Sequence, residues 1–60
     1  MKINEFDVVK LKNGEEATIL EIFKPMKDEK LTHYDVEISD SDNILTISEH
    51  DIVSVIYHAA

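Results

Sequence analysis

The chain has 60 residues, one domain's worth at most, and residues 1–60 read as a single unit. Thirteen acidic residues face six lysines and no arginine, for a net charge of −7, and cysteine is absent. That balance disfavours direct DNA or RNA binding, which needs a cationic patch to displace counterions from phosphate. The lack of cysteine excludes disulfides and thiolate metal sites.

A chain this short buries only about 60% of the surface that its unfolded form exposes. Its stability is therefore expected to be a few kcal/mol. Met1-Lys2-Ile3-Asn4-Glu5 has no apolar h-region, so no signal peptide is predicted. No apolar run approaches the length of a membrane span. The expectation is a cytoplasmic protein with no membrane association.

The first strand-like run is Phe6 to Leu11 and the second is Ala17 to Phe23. Both are rich in β-branched and apolar residues. A two-residue Asn13-Gly14 loop would set Leu11 against Glu16 and Lys10 against Ala17. A three-residue Asn13-Gly14-Glu15 loop instead pairs Leu11 with Ala17, Val9 with Ile19, Val8 with Leu20 and Phe6 with Ile22. This second register matches side chains by character and is the one predicted. Gly14, the only glycine, would take the left-handed position. Both faces of the hairpin are then apolar. One carries Leu11, Val9, Ala17, Ile19 and Phe23; the other carries Phe6, Val8, Leu20 and Ile22. Two apolar faces suit a curled barrel, or a sheet whose second face is covered by a partner or a second copy.

Lys24 to Leu31 is a predicted loop containing Pro25, Met26 and the charged run Lys27-Asp28-Glu29-Lys30. The third run, Thr32 to Ser39, alternates Tyr34, Val36 and Ile38 with His33, Asp35 and Glu37. Asp40-Ser41-Asp42-Asn43 is a second tight turn, and Ile44 to Ser48 is the fourth run. Ser48-Glu49-His50-Asp51 has the form of one helical turn, with Ser48 as N-cap and acids in its first turn. The fifth run is Ile52 to Tyr57, and His58-Ala59-Ala60 is expected to fray. The predicted fold is all-β, a small five-stranded SH3-like barrel with a single helical turn before the last strand.

Asn4-Glu5-Phe6-Asp7-Val8-Val9-Lys10-Leu11, Ala17-Thr18-Ile19-Leu20-Glu21, Tyr34-Asp35-Val36-Glu37-Ile38 and Asp51-Ile52-Val53-Ser54-Val55 together resemble a group of small bacterial proteins of uncharacterised activity. Their pattern is an "EFDVVxL" start, a glycine turn and a "YxVEI" strand. More loosely, the chain resembles KOW-type and other SH3-like barrels. The group carries two glycines, G-x-x-G, in the first turn, where this chain keeps Gly14 and has Ala17. The resemblance implies an SH3-like fold and brings no activity.

Candidate chemistry is sparse. His33, Asp35 and Glu37 share a strand face about 7 Å apart, with His50 or His58 as conceivable helpers. The trio lacks a recognised ligand spacing, so a solvated strand face is the better reading and no metal or cofactor is assigned. Glu49-His50-Asp51 makes a poor acid–base pair, because adjacent residues on a helical turn point apart. No nucleophile or phosphate loop is evident, and the chain is read as not an enzyme.

Partner-binding residues are expected at Tyr34 and Tyr57, at Pro25 and Met26 in the loop, and at Asp35 and Glu37 on the acidic face. Aromatic rings serve both cores and grooves on small barrels. The first functional expectation is a non-catalytic protein-protein interaction module whose protein partner is basic, or a homodimer joined at a barrel edge. The second is a small acidic inhibitor of a basic nucleic-acid-binding enzyme. Such an immunity protein, antitoxin or phage-encoded blocker would use carboxylates in place of phosphates.

Overall fold

A computed structural model describes residues 2–59. Five strands follow in order: β1 (Val8–Leu11), β2 (Glu16–Phe23), β3 (His33–Ile38), β4 (Ile44–Ser48) and β5 (Ile52–Tyr57). A 3-10 turn, Glu49–Asp51, precedes the last strand. All pairings are antiparallel and build one sheet in the order β4-β3-β2-β1-β5. The all-β fold of five strands with one helical turn before the last is therefore as expected.

The sheet is strongly curled. β4 and β5 lie at opposite edges, and a flat five-stranded sheet would hold its edges about 19 Å apart. Only three residues join Ser48 to Ile52, a span of at most about 14 Å even when fully extended. The two edges must converge at that link. The Glu49 amide donates to the Thr32 carbonyl at 2.9 Å, and the Lys12 amide donates to the Asp51 carbonyl at 3.0 Å. The 3-10 turn thus ties the start of β3 to the end of β1. No ladder joins β4 to β5 among the described residues, so the curl stops short of a hydrogen-bonded barrel.

The first hairpin differs from the predicted register by two residues. Val9 pairs with Ala17, Val8 with Thr18 and Lys10 with Glu16. The loop is Lys12-Asn13-Gly14, closed by Gly14 N–H to Leu11 C=O at 2.9 Å and Leu11 N–H to Glu15 C=O at 2.8 Å. Gly14 has φ 92°, the left-handed residue that follows the turn in a three-residue hairpin. Asn13 fixes the exit: its Oδ1 accepts the Glu15 amide at 2.9 Å and its Nδ2 donates to Glu15 Oε1 at 2.7 Å. The observed register also sets opposite charges across the strands, Lys10 Nζ lying 3.7 Å from Glu16 Oε2. A shift of two preserves which face each residue occupies, so Val9, Leu11, Ala17 and Ile19 still share the core.

Two further corrections concern strand ends. β1 begins at Val8 rather than Phe6, because Asn4 to Asp7 forms a tight turn closed by Asp7 N–H to Asn4 C=O at 3.1 Å. Phe6 sits there at φ 70° and pairs with Ile19, not Ile22, through its amide at 2.7 Å. In β2 the register with β3 slips between Ile19 and Glu21. Leu20 is the extra residue of this bulge, and the alternation reverses beyond it. Ile22 consequently packs against the core while Phe23 is exposed, the reverse of the expected assignment.

The core gathers Val9, Leu11, Ala17, Ile19, Tyr34, Val36, Ile38 and Ile52 on the concave side, with Ile3, Ile47 and Val55 packed around them. β3 contributes its alternate residues, as its periodicity predicts. Ser48 caps the 3-10 turn: its Oγ accepts the His50 amide at 3.2 Å, and its own amide donates to Asp51 Oδ2 at 3.0 Å. This reciprocal box satisfies donors that a short turn would otherwise leave open.

Candidate functional site

The expected site residues do not converge on one place. Tyr34 is only 7% exposed, with its ring in the core. It borders a groove with Lys2, Ile3, Asn4, Pro25 and Thr32. Burial, and then the Glu49 carboxylate, push its hydroxyl pKa above the ordinary 10.0. Tyr57 lies opposite Val8 on the outer face of the sheet and is 61% exposed. The two tyrosines therefore occupy opposite faces and form no shared groove. Pro25 joins Tyr34 at its groove, whereas Met26 projects from the loop, 75% exposed.

Asp35 and Glu37 share the outer face of β3. Asp35 lies opposite Thr46 and Glu37 opposite Ile44. Thr46 Oγ1 donates to Asp35 Oδ1 at 2.6 Å, which pins that carboxylate to β4. Among the described residues, no three of His, Asp and Glu gather as a metal site would require. His58 lies beside Asp7 instead, its Nδ1 3.3 Å from Asp7 Oδ2.

Exposed apolar side chains concentrate on the two edge strands. Ile44 and Leu45 on β4, and Val53, Ile56 and Tyr57 on β5, are all exposed. The edges differ in one respect. The β5 register with β1 slips twice, between Val8 and Val9 and between Lys10 and Leu11. The β3–β4 register runs unbroken from His33–Ser48 to Glu37–Ile44. Bulges twist an edge away from further pairing, so β5 is guarded and β4 is not.

The apolar second face expected of the hairpin is broken up. Phe6 is exposed, Val8 and Leu20 are half-buried, and Ile22 has turned to the core. What outweighs it is an asymmetry of charge. Every lysine lies at or before Lys30, while Asp35, Glu37, Asp40, Asp42, Glu49 and Asp51 follow it. β3, the turn after it and the 3-10 turn therefore carry carboxylates and no lysine, while β4 and β5 carry no charged residue. Reading acids alone makes them look evenly spread; counting lysines by half of the chain reveals the imbalance. At one end of β4, Glu15 and Glu16 of the first hairpin line a notch with Ser39, Asp40 and Ser41 of the β3–β4 turn.

Asp7 was not singled out by sequence. It is wholly buried and accepts the Asn4 amide at 2.9 Å and the Ala59 amide at 2.8 Å. These two backbone hydrogen bonds lower its pKa, with help from nearby His58 and against the cost of burial. His58 and Ala59 are thus tied to the body of the fold rather than frayed. Ala60, expected to fray with them, lies outside the described residues. No protein-family model, no curated protein and no solved structure matches this chain.

Proposed function

We propose that this chain is a small, cytoplasmic, non-catalytic protein-interaction module of the bacterial SH3-like group that its sequence resembles. The observation that carries the reading is the gathering of exposed apolar side chains on sheet edges, above all Ile44 and Leu45 on the unguarded β4. Edge strands expose unpaired backbone donors and acceptors, and apolar neighbours make such an edge adhesive. Its partner is a basic protein, since the strands nearest this edge carry only negative charge.

The test is capture of partners on the immobilised chain, followed by calorimetric titration of each purified candidate. A saturable complex of fixed stoichiometry, weakened at least about tenfold by Leu45→Lys, supports the module. No such complex with any candidate overturns it.

The lysine-free second half also favours the acidic-inhibitor reading, in which the carboxylates occupy a nucleic-acid site. That version adds two requirements. Affinity must fall steeply as salt rises, and the complex must block nucleic-acid binding by the partner. A salt-insensitive complex removes it and leaves the module.

A further inference from the structure

We propose that β4 is the docking edge, and that its occupant is an extended segment of a basic partner, alternating apolar and Lys/Arg side chains, added as a sixth strand. The inference rests on the interaction-module reading and narrows it to one edge and one peptide chemistry.

The backbone sets the first requirement. The Ile38 amide donates to the Asn43 carbonyl at 3.0 Å, and the Glu49 amide donates to the Thr32 carbonyl at 2.9 Å. Those pairs fix the phase of the ladder. Leu45 and Ile47 turn their amides and carbonyls toward β3, while Ile44, Thr46 and Ser48 turn theirs to the free edge. The Ser48 amide is taken by Asp51. Ile44 and Thr46 are left with outward donors and acceptors spaced for another strand.

The side chains set the second requirement. Leu45 lies opposite Val36, on the core side, and is 46% exposed. An added residue beside it extends the core and must be apolar. Ile44 lies on the other face, opposite Glu37. A residue beside Ile44 sits about 10 Å from Glu37, two strand spacings away. A lysine or arginine there can lay its stem over Ile44 and bring its charge to Glu37. The acidic notch of Glu15, Glu16 and Asp40 lies at the same end of the strand. Alternation of apolar and cationic side chains follows from the pleat.

The same charges disfavour a second copy in this place. Pairing β4 with itself would bring together two lysine-free halves, each carrying Asp35, Glu37, Asp40 and Asp42. β4 itself is uncharged, so the repulsion is between two net-negative bodies rather than between charges opposed across the pair.

The probe is a short peptide alternating valine and lysine, titrated into isotope-labelled chain, with a valine–glutamate peptide as control. The expected result is at least about tenfold slower hydrogen exchange at the Ile44 and Thr46 amides, with Leu45 and Ile47 little changed. Binding should weaken with salt. Thr46→Pro removes an outward amide and the side-chain hydrogen bond to Asp35 but no backbone hydrogen bond to β3. It should lose at least about tenfold in affinity with an unchanged β spectrum, whereas Thr46→Val, which loses only the Asp35 bond, should keep its affinity. Ile44→Lys, which keeps the amide and sets a positive charge opposite Glu37, should lose affinity as well.

Equal binding of the glutamate peptide, or protection on β5 instead, overturns the proposal. So does concentration-dependent protection of Ile44 and Thr46 without peptide, which would mark a dimer edge. A captured protein partner that binds Thr46→Pro at full strength overturns the edge and leaves the module standing. If neither peptide nor protein binds, both readings fall.

Discussion

At the scale of single residues, Asp7 joins the two ends of the chain. One buried carboxylate fixes the turn at Asn4 and the backbone at Ala59, and His58 lies beside it. Because its folded pKa lies below the ordinary 3.8, the unfolded chain takes up a proton before the folded one does. The stabilisation is complete above about pH 5 and drains away as pH falls through 3.8 toward the folded value. Thermal melts should show a flat plateau near neutrality and a decline in acid. Asp7→Asn offers one acceptor where two amides converge, leaving an N–H facing an N–H. Its Tm should fall by more than about 5 °C at pH 7, and the wild-type and variant melting curves should converge at low pH. Parallel curves down to pH 3 would deny Asp7 this role.

At the scale of elements, the turns determine the registers. Gly14 has open space around the position of a Cβ, so a side chain there meets no clash, only the cost of a positive φ. Gly14→Ala should cost about 1 kcal/mol. Gly14→Asn should cost less, because asparagine tolerates the left-handed region. Urea midpoints at unchanged slope measure both; equal losses would mean that backbone strain is not the cause.

Legibility divides along the same line. The strands could be read because alternation survives any register, as Tyr34, Val36 and Ile38 show. The 3-10 turn could be read because Ser48 and Asp51 carry their capping chemistry in the side chains. The hairpin pairing departs from the match of apolar residues because the Lys10–Glu16 charge pair and the left-handed Gly14 of a Lys12-Asn13-Gly14 loop favour the other register. The bulge at Leu20 leaves no mark in an all-apolar run, so the exchange of Ile22 and Phe23 was invisible. Of the candidate site, Asp35 and Glu37 lie on the outer face of β3 as its alternation predicts, but their place beside the exposed β4 is not predicted, and Tyr34 is core. Which strand becomes an edge depends on topology, which no local pattern states.

At the scale of the molecule, small size makes the clasp around Asp7 matter more than it would in a larger domain. It joins residues 52 positions apart, just beyond the Val8–Tyr57 pair that ends the β1–β5 ladder, so the chain is nearly a ring whose seam is closed at its open end by one carboxylate. A covalent seam should therefore be able to replace it. Linking the two ends with a short glycine–serine segment and opening new ends at the Lys27-Asp28 turn gives a circular permutant that should keep the same β spectrum. In that chain Asp7→Asn should cost clearly less stability than in the original, since the linker now keeps the ends together. An equal cost in both chains would show that Asp7 serves the local turn alone. The seam lies on the β1–β5 side of the sheet, three strands from β4 in the strand order and at the end of β5 remote from the 3-10 link, so a partner protein fused through it should leave the proposed docking edge open.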